Sequence, residues 1–177
     1  MDFEVVQLGD GTVDVVARHA NLPEGTQLEV SATRSFSDGR GHAAQGVVVG
    51  HESTEVAIGM WAATISIDHG ELTGLSGGAG AAIETVSPVI AMCAEVRTGR
   101  DSIDDDYQWD DEARVALGPH GKNLARSEGA VVVDGKTGTP ATWLRAQRDV
   151  EMPPPLDEIA HIQGTRPRVA PIDTFCA

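Results

Sequence analysis

Two stretches hold the residue types that could do chemistry. In "TGLSGGAG" (73–80), Gly74-Leu75-Ser76-Gly77-Gly78 fits the G-x-S-x-G pattern of a serine nucleophile. That pattern works when a strand ends just before the serine and a helix begins just after it, so that helix-end amides face a developing oxyanion. Here the preceding strand-like run, "WAATISID", stops at Asp68, about eight residues short of Ser76. An acid and a histidine follow in order (Asp101 or Asp104, then His120 or His161), but acids are so abundant that the order discriminates little. With 20 glycines in 177 residues, a flexible Gly-rich hairpin is the preferred reading. A small serine hydrolase using Ser76 stays as an alternative.

The second stretch, "DSIDDDYQWDDE" (101–112), holds seven acids. Hard cations such as Ca²⁺ take several oxygen ligands from one loop, which makes Asp101, Asp104, Asp105, Asp106 and Asp110 the candidate ligands. An EF-hand alignment starting at Asp101 places Glu112 correctly. It fails at Ile103 in the third position and at Asp106, where the loop requires glycine. A solvated acidic loop is the simpler reading, with Ca²⁺ as the only cofactor suggested. Tyr107 and Trp109 lie among these acids, and aromatic residues in that setting are candidates for contact with a protein partner. The six histidines lack zinc-ligand spacing, and neither G-x-G-x-x-G nor Gly-Lys-Ser/Thr occurs, so zinc and nucleotides have no signal.

Charge narrows the partners. Thirteen basic residues face 27 acidic ones, a formal net charge of -14. Such a surface repels phosphate backbones and anionic lipid, which argues against nucleic acid and membranes and leaves proteins, a second copy included. The N-terminal "MDFEVVQLGDG" has no basic residue and no long apolar stretch, and no run reaches the ~20 apolar residues of a membrane span. The expected setting is cytoplasmic or particle-associated, unless this is the processed form of a secreted chain. Two cysteines are too few for a disulfide scaffold. Cys93, in "VIAMCAEV", reads as a small core hydrophobe, and a bridge to Cys176 is the other option.

The elements that must position these residues are strands. "FEVVQL" leads to a turn at "GDG" (9–11), and "TVDVVARHA" resumes with Val13 and Val15 in alternation. In "NLPEGT", Pro23 suits the second position of a turn and Gly25 its close. "QLEVSATRSF" places Leu28, Val30 and Ala32 on one face. "AAQGVVVG" is a short apolar strand, and two further segments flank Gly59, with Trp61, Ala63, Ile65 and Ile67 in phase. Pro88 forbids a continuous helix through "AAIETVSPVIAMCAEVRTG", whose second half reads as a buried strand. "GAVVVDGKTGT" is strand plus turn. "TPATWLRAQRDVE" fits a helix or an edge strand, and from Met152 onward three consecutive prolines and a lack of periodicity predict an extended arm.

"ANLPEGTQLEV" (Ala20 to Val30) resembles the strand-turn-strand of bacterial immunoglobulin-like β-sandwich domains, in which an Asn-Leu-Pro-Asp-Gly-Thr segment recurs. "AIGMWAATI" (Ala57 to Ile65) resembles a later Gly-x-aromatic strand of the same domains, and Leu117 to Val133 is faintly similar to a segment that follows some of them. The resemblance implies a sandwich fold and a role in binding or building.

The expected architecture is therefore mainly β: an immunoglobulin-like antiparallel sandwich over 1–135, a helix or edge strand over 136–151, and an extended Pro-rich arm over 152–177. The expected function is a non-enzymatic structural module, a subunit of a larger particle or virion-like assembly. Its arm would dock on a neighbour through Val169, Ile172 and Phe175. A secreted or cell-surface ligand-binding module is the first alternative.

Overall fold

The computed structural model of the chain describes residues 1–9, 11–20, 22–38, 44–70, 82–98, 130–134 and 140–176. Nine strands and one helix lie among them. In chain order they are β1 (Glu4–Gln7), β2 (Thr12–Ala17), β3 (Gln27–Ser37), β4 (Gln45–Glu55), β5 (Trp61–Ser66), β6 (Thr85–Thr98), β7 (Ala130–Asp134), β8 (Pro140–Glu151), α1 (Leu156–Gln163) and β9 (Arg168–Val169).

The strands form two sheets. A small antiparallel sheet runs β1-β2-β5, and a large one runs β4-β3-β6-β8-β7, with β9 pairing parallel to the start of β6. Alternation dictates what lies between them. Val13, Val15, Trp61, Ala63 and Ile65 face inward from the small sheet and meet Leu28, Val30, Ala32, Ile90, Met92 and Ala94 from the large one in a single apolar core. Phe3 packs on Trp61 with ring centroids 5.7 Å apart, so the segment before β1 is part of that core. This mainly β, two-sheet architecture fits a β-sandwich.

Backbone chemistry explains the connections. Gly9 and Gly11 turn β1 into β2 with φ of 87° and 81°, values that glycine adopts without strain. The next turn starts one residue later than the sequence suggests. Pro23 takes the first position, its carbonyl accepting from Thr26 N at 3.2 Å, and Gly25 takes the third with φ 76°. A positive φ is required there in a type II turn, and that requirement overrides proline's preference for the second position.

Two bulges adjust the large sheet. Between Ala32 and Thr33 of β3 the pairing with β4 skips Val49, whose carbonyl accepts from Asp68 N at 2.6 Å and so ties the exit of β5 to β4. Between Arg34 and Phe36 the pairing with β6 passes over Ser87 to Val89, the site of Pro88. Proline has no N–H to give a ladder, so inside a sheet it is found at bulges of this kind.

Two expectations about the last third change. The segment read as helix or edge strand is β8, and it is interior, paired with β6 on one side and β7 on the other. The arm read as extended throughout contains α1. Its first turn carries Asp157 and Glu158, His161 lies in its last turn, and Gly164 closes it at φ 75° with its N–H on the carbonyl of Ala160. Ile159 on this helix is fully buried, and the Gln163 amide bonds both N and O of Ile83 at 2.9 Å.

The sheets approach closely at Gly50 of β4. A Cβ there would lie 2.6 Å from the Ser66 carbonyl oxygen and 2.7 Å from Ile65 Cγ2. Gly50→Ala should therefore cost about 1–3 kcal/mol by forcing the sheets apart. Thermal unfolding checks it, at about 2–4 °C for each kcal/mol.

Candidate functional site

Ser76, Asp101, Asp104, Asp105, Asp106, Asp110, Tyr107 and Trp109 all lie outside the described residues. Three other features of the described fold are unusual enough to bear on function.

The first is the turn between β4 and β5. Ala57 and Met60 exchange both backbone hydrogen bonds, at 2.8 and 3.1 Å, around a two-residue loop in which Ile58 has φ 55° and Gly59 φ 66°. Two positive φ values are the signature of a type I′ hairpin turn, whose first position ordinarily holds Asn, Asp or Gly. A β-branched residue there is a true outlier, costing about 1–2 kcal/mol. The Glu24 carboxylate holds it in place, accepting from Ile58 N at 2.7 Å and Gly59 N at 2.6 Å, while the Gly59 carbonyl accepts from Ala20 N at 2.8 Å. The outcome is an apolar side chain held out in water: Ile58 is 86% exposed, with exposed Met60 beside it.

The second is Arg34. It follows Leu28, Val30 and Ala32 on the inward face of β3 and is 0% exposed. Its Nη1 donates to the Ser87 carbonyl at 2.7 Å, a group turned toward it at the Pro88 bulge, and to the Met152 carbonyl at 3.2 Å. Nε and Nη2 reach His69 Nε2 at 3.3 and 3.2 Å. Burial lowers the Arg34 pKa to about 10, which leaves it a cation at neutral pH. His69 accordingly has to be neutral and accept. Burial first, and then the adjacent guanidinium, lower its pKa to about 4, against a smaller opposing effect of Asp68.

The third is the outward face of the large sheet beneath the C-terminal segment. Cys93 of β6 is disulfide-bonded to Cys176. This corrects the reading of Cys93 as a free core hydrophobe: it sits opposite Ser31 on the outward face, and a buried outward position signals a cover. Thr33, Ser35 and Ala91 share that face and are also fully buried. Of the three contact residues expected in this segment, Phe175 packs over Gly46 of β4, while Val169 is 45% exposed and Ile172 is half-buried. Phe175 itself keeps 36% of its surface exposed. Val169, in β9, and Phe175 therefore lie along the chain's own large sheet.

Sequence reasoning passed over Ile58, Glu24, Arg34 and His69. One signal was available for Ile58: "AIGM" places a β-branched residue directly before a turn glycine, where Asn or Asp is usual. Arg34 is in phase with Leu28, Val30 and Ala32, but its residue type argues for solvent. Comparison of the chain with protein-family models, curated proteins and solved structures returns no match.

Two outcomes follow from this geometry. His69 has a lower pKa folded than unfolded, so the unfolded chain binds the extra proton. The stabilisation is complete above about pH 6.5 and is lost as pH falls toward about 4. Solvent screening at this half-buried imidazole reduces the full linkage, so wild type should lose on the order of 1–2 kcal/mol across that window relative to His69→Gln, which keeps an acceptor for Arg34 but does not titrate. Urea unfolding of both proteins at intervals of pH measures the difference. Separately, Cys176→Ser should cost about 2–4 kcal/mol while preserving the native far-UV circular dichroism spectrum.

Proposed function

We propose that this chain is a non-enzymatic structural and interaction module, an immunoglobulin-like β-sandwich acting as a subunit of a larger protein assembly. Strand order supports the fold assignment. Reading β1, β2 and β5 as strands A, B and E, and β4, β3, β6 and β8 as C′, C, F and G, makes the order within each sheet compatible with that family, with β7 an addition beyond G. Two antibody hallmarks are replaced. The disulfide joins β6 to the C-terminal segment instead of joining strands B and F, and the core tryptophan is on β5 instead of strand C.

The observation that carries the functional reading is Ile58. An exposed isoleucine in a left-handed conformation lowers stability and contributes nothing to the core, and strain of this kind persists where the surrounding structure enforces it for a purpose. Here a carboxylate grips two consecutive amides to enforce it. A rigid apolar tip loses little conformational entropy on docking, which suits it to enter a pocket on a protein partner.

The disulfide favours a second reading, a secreted or cell-surface binding module, because such bonds persist in oxidising compartments.

Ile58→Asn separates display from folding. Relief of strain should raise the melting temperature by about 2–4 °C, while association of the oxidised chain, followed by light-scattering mass over a range of concentrations, should be lost. A variant that associates as wild type does, or a wild type that stays monomeric throughout, would remove the tip from the function.

A further inference from the structure

The outward face of the large sheet holds a groove whose occupant can be read side chain by side chain. Gly46 pairs with Ser35, Thr33 with Ala91, and Cys93 lies two pairs further along β6, all on one face and all small. The segment Thr174-Phe175-Cys176 crosses this low surface. The Thr174 hydroxyl donates to Asp149 Oδ2 at 2.7 Å, and its hydroxyl and carbonyl oxygens accept from the Gln147 amide at 3.3 and 3.4 Å. Phe175 fills the space that Gly46 leaves: a Cβ on Gly46 would come within 2.8 Å of Phe175 Cε2. Cys176 is bonded to Cys93. Each of the three residues thus has its own receptor on the sheet, in β8, in β4 with β3, and in β6.

Apart from the disulfide the segment is held by side chains and not by strand pairing. Among the described residues, 171–176 makes no backbone–backbone hydrogen bond after Ala170 N meets the Val86 carbonyl. Beneath it, Thr33 Oγ1 and Ser35 Oγ are buried without a hydrogen-bond partner. An unsatisfied buried hydroxyl is costly, and both are hydrated once the segment lifts. Phe175 is only partly buried where it lies.

We infer that this groove is an exchange site: it accepts the Thr174–Cys176 segment of a second copy once the chain's own segment is released, and Cys176 of one copy is then joined to Cys93 of the other. Release is reduction of the internal disulfide by two thiols, which yields the Cys93 and Cys176 thiols and one small-molecule disulfide. Closure in trans runs the same exchange backwards, oxidised glutathione taking up the two electrons and two protons and leaving as two reduced molecules. In dilute solution the chain's own segment wins, because tethering gives it a high effective concentration. The second copy prevails when copies are crowded or held side by side. A net charge of -14 on each copy makes the exchange dependent on salt. The inference deepens the assembly reading but uses a surface separate from Ile58.

The experiment uses the whole chain, half of it unlabelled and half ¹⁵N-labelled. The mixture is reduced, concentrated at high salt, reoxidised with oxidised glutathione and digested for mass spectrometry. Cys93–Cys176 linked peptides with one light and one heavy partner should appear, and increase with protein concentration alongside a dimer. In a timed oxidation Phe175→Ala should lower the uniform and mixed linked peptides together by about tenfold, the loss of one partly buried aromatic contact, and leave their ratio unchanged because the ring fills the same groove in cis and in trans. At the highest concentration, where crowding alone brings copies together, Ile58→Asn should leave the yield unchanged even where it abolishes association of the oxidised chain, so the two surfaces fail or succeed separately. Linked peptides of uniform label at every concentration, a total yield indifferent to Phe175→Ala, a mixed-to-uniform ratio that shifts with it, or a reduced wild-type chain that has lost its circular dichroism signature would each overturn the exchange.

Discussion

One buried cation orders much of this structure. The Arg34 guanidinium lies between the sheets without exposure to water, where an uncompensated charge is costly unless its donors are met. They are met from three directions: Ser87 beside the Pro88 bulge of β6, Met152 just after β8, and His69 just after β5. Each contact depends on something else in the fold. Pro88 cannot donate to the ladder, so β6 bulges and turns the Ser87 carbonyl inward. The Met152 carbonyl is presented because Met152 N is itself held by the Pro88 carbonyl at 2.9 Å. His69 stays neutral because it is half-buried beside a cation. The arginine, itself on β3, therefore joins the exits of β5 and β8 to the start of β6.

Around that centre the two faces of the large sheet are treated differently. The inward face buries Val, Leu, Ile and Met against the small sheet. The outward face over β3, β4 and β6 carries the small residues Gly46, Thr33, Ser35, Ala91 and Cys93 beside Val48, and the C-terminal segment lies on top of it. Small residues leave room there for one phenylalanine ring. Elsewhere the same face is finished with charge, as where Arg145 of β8 bonds Glu95 of β6 through Nε and Nη2 at 3.0 and 2.8 Å. The exposed turn at Ile58 and the covered groove lie on different elements of the fold, so partner contact and closure of the C-terminus can operate independently.

Much of the strand framework was legible in the chain because a strand with one wet face writes its burial into every second residue. Val13 and Val15, then Leu28, Val30 and Ala32, then Trp61, Ala63 and Ile65 announce their strands and the side each turns to the core. Pro88 excluded a helix correctly but did not reveal its bulge, since the bulge exists only in relation to Arg34 and Phe36 across the ladder. Helix α1 carried start and stop signals (two acids at one end, His161 and Gly164 at the other), but the preceding proline run obscured them.

The candidate sites were less legible, because each arises from residues far apart in sequence. Glu24 reads as a solvent-exposed acid until the fold brings it against the amides of Ile58 and Gly59. Arg34 continues the alternation of β3, yet its type argues for water, and only three carbonyl and imidazole acceptors from distant segments make its burial tolerable. The cysteines illustrate the division most simply. Local sequence placed Cys93 in a buried strand, as it is. Which face of that strand it occupies, and that Cys176 lies over that face, was decided by the pairing of β6 with β3 and by the return of the C-terminal segment. Side-chain periodicity is a local property that the sequence by itself determines; the partner of a buried polar group is a long-range one that only the folded chain supplies.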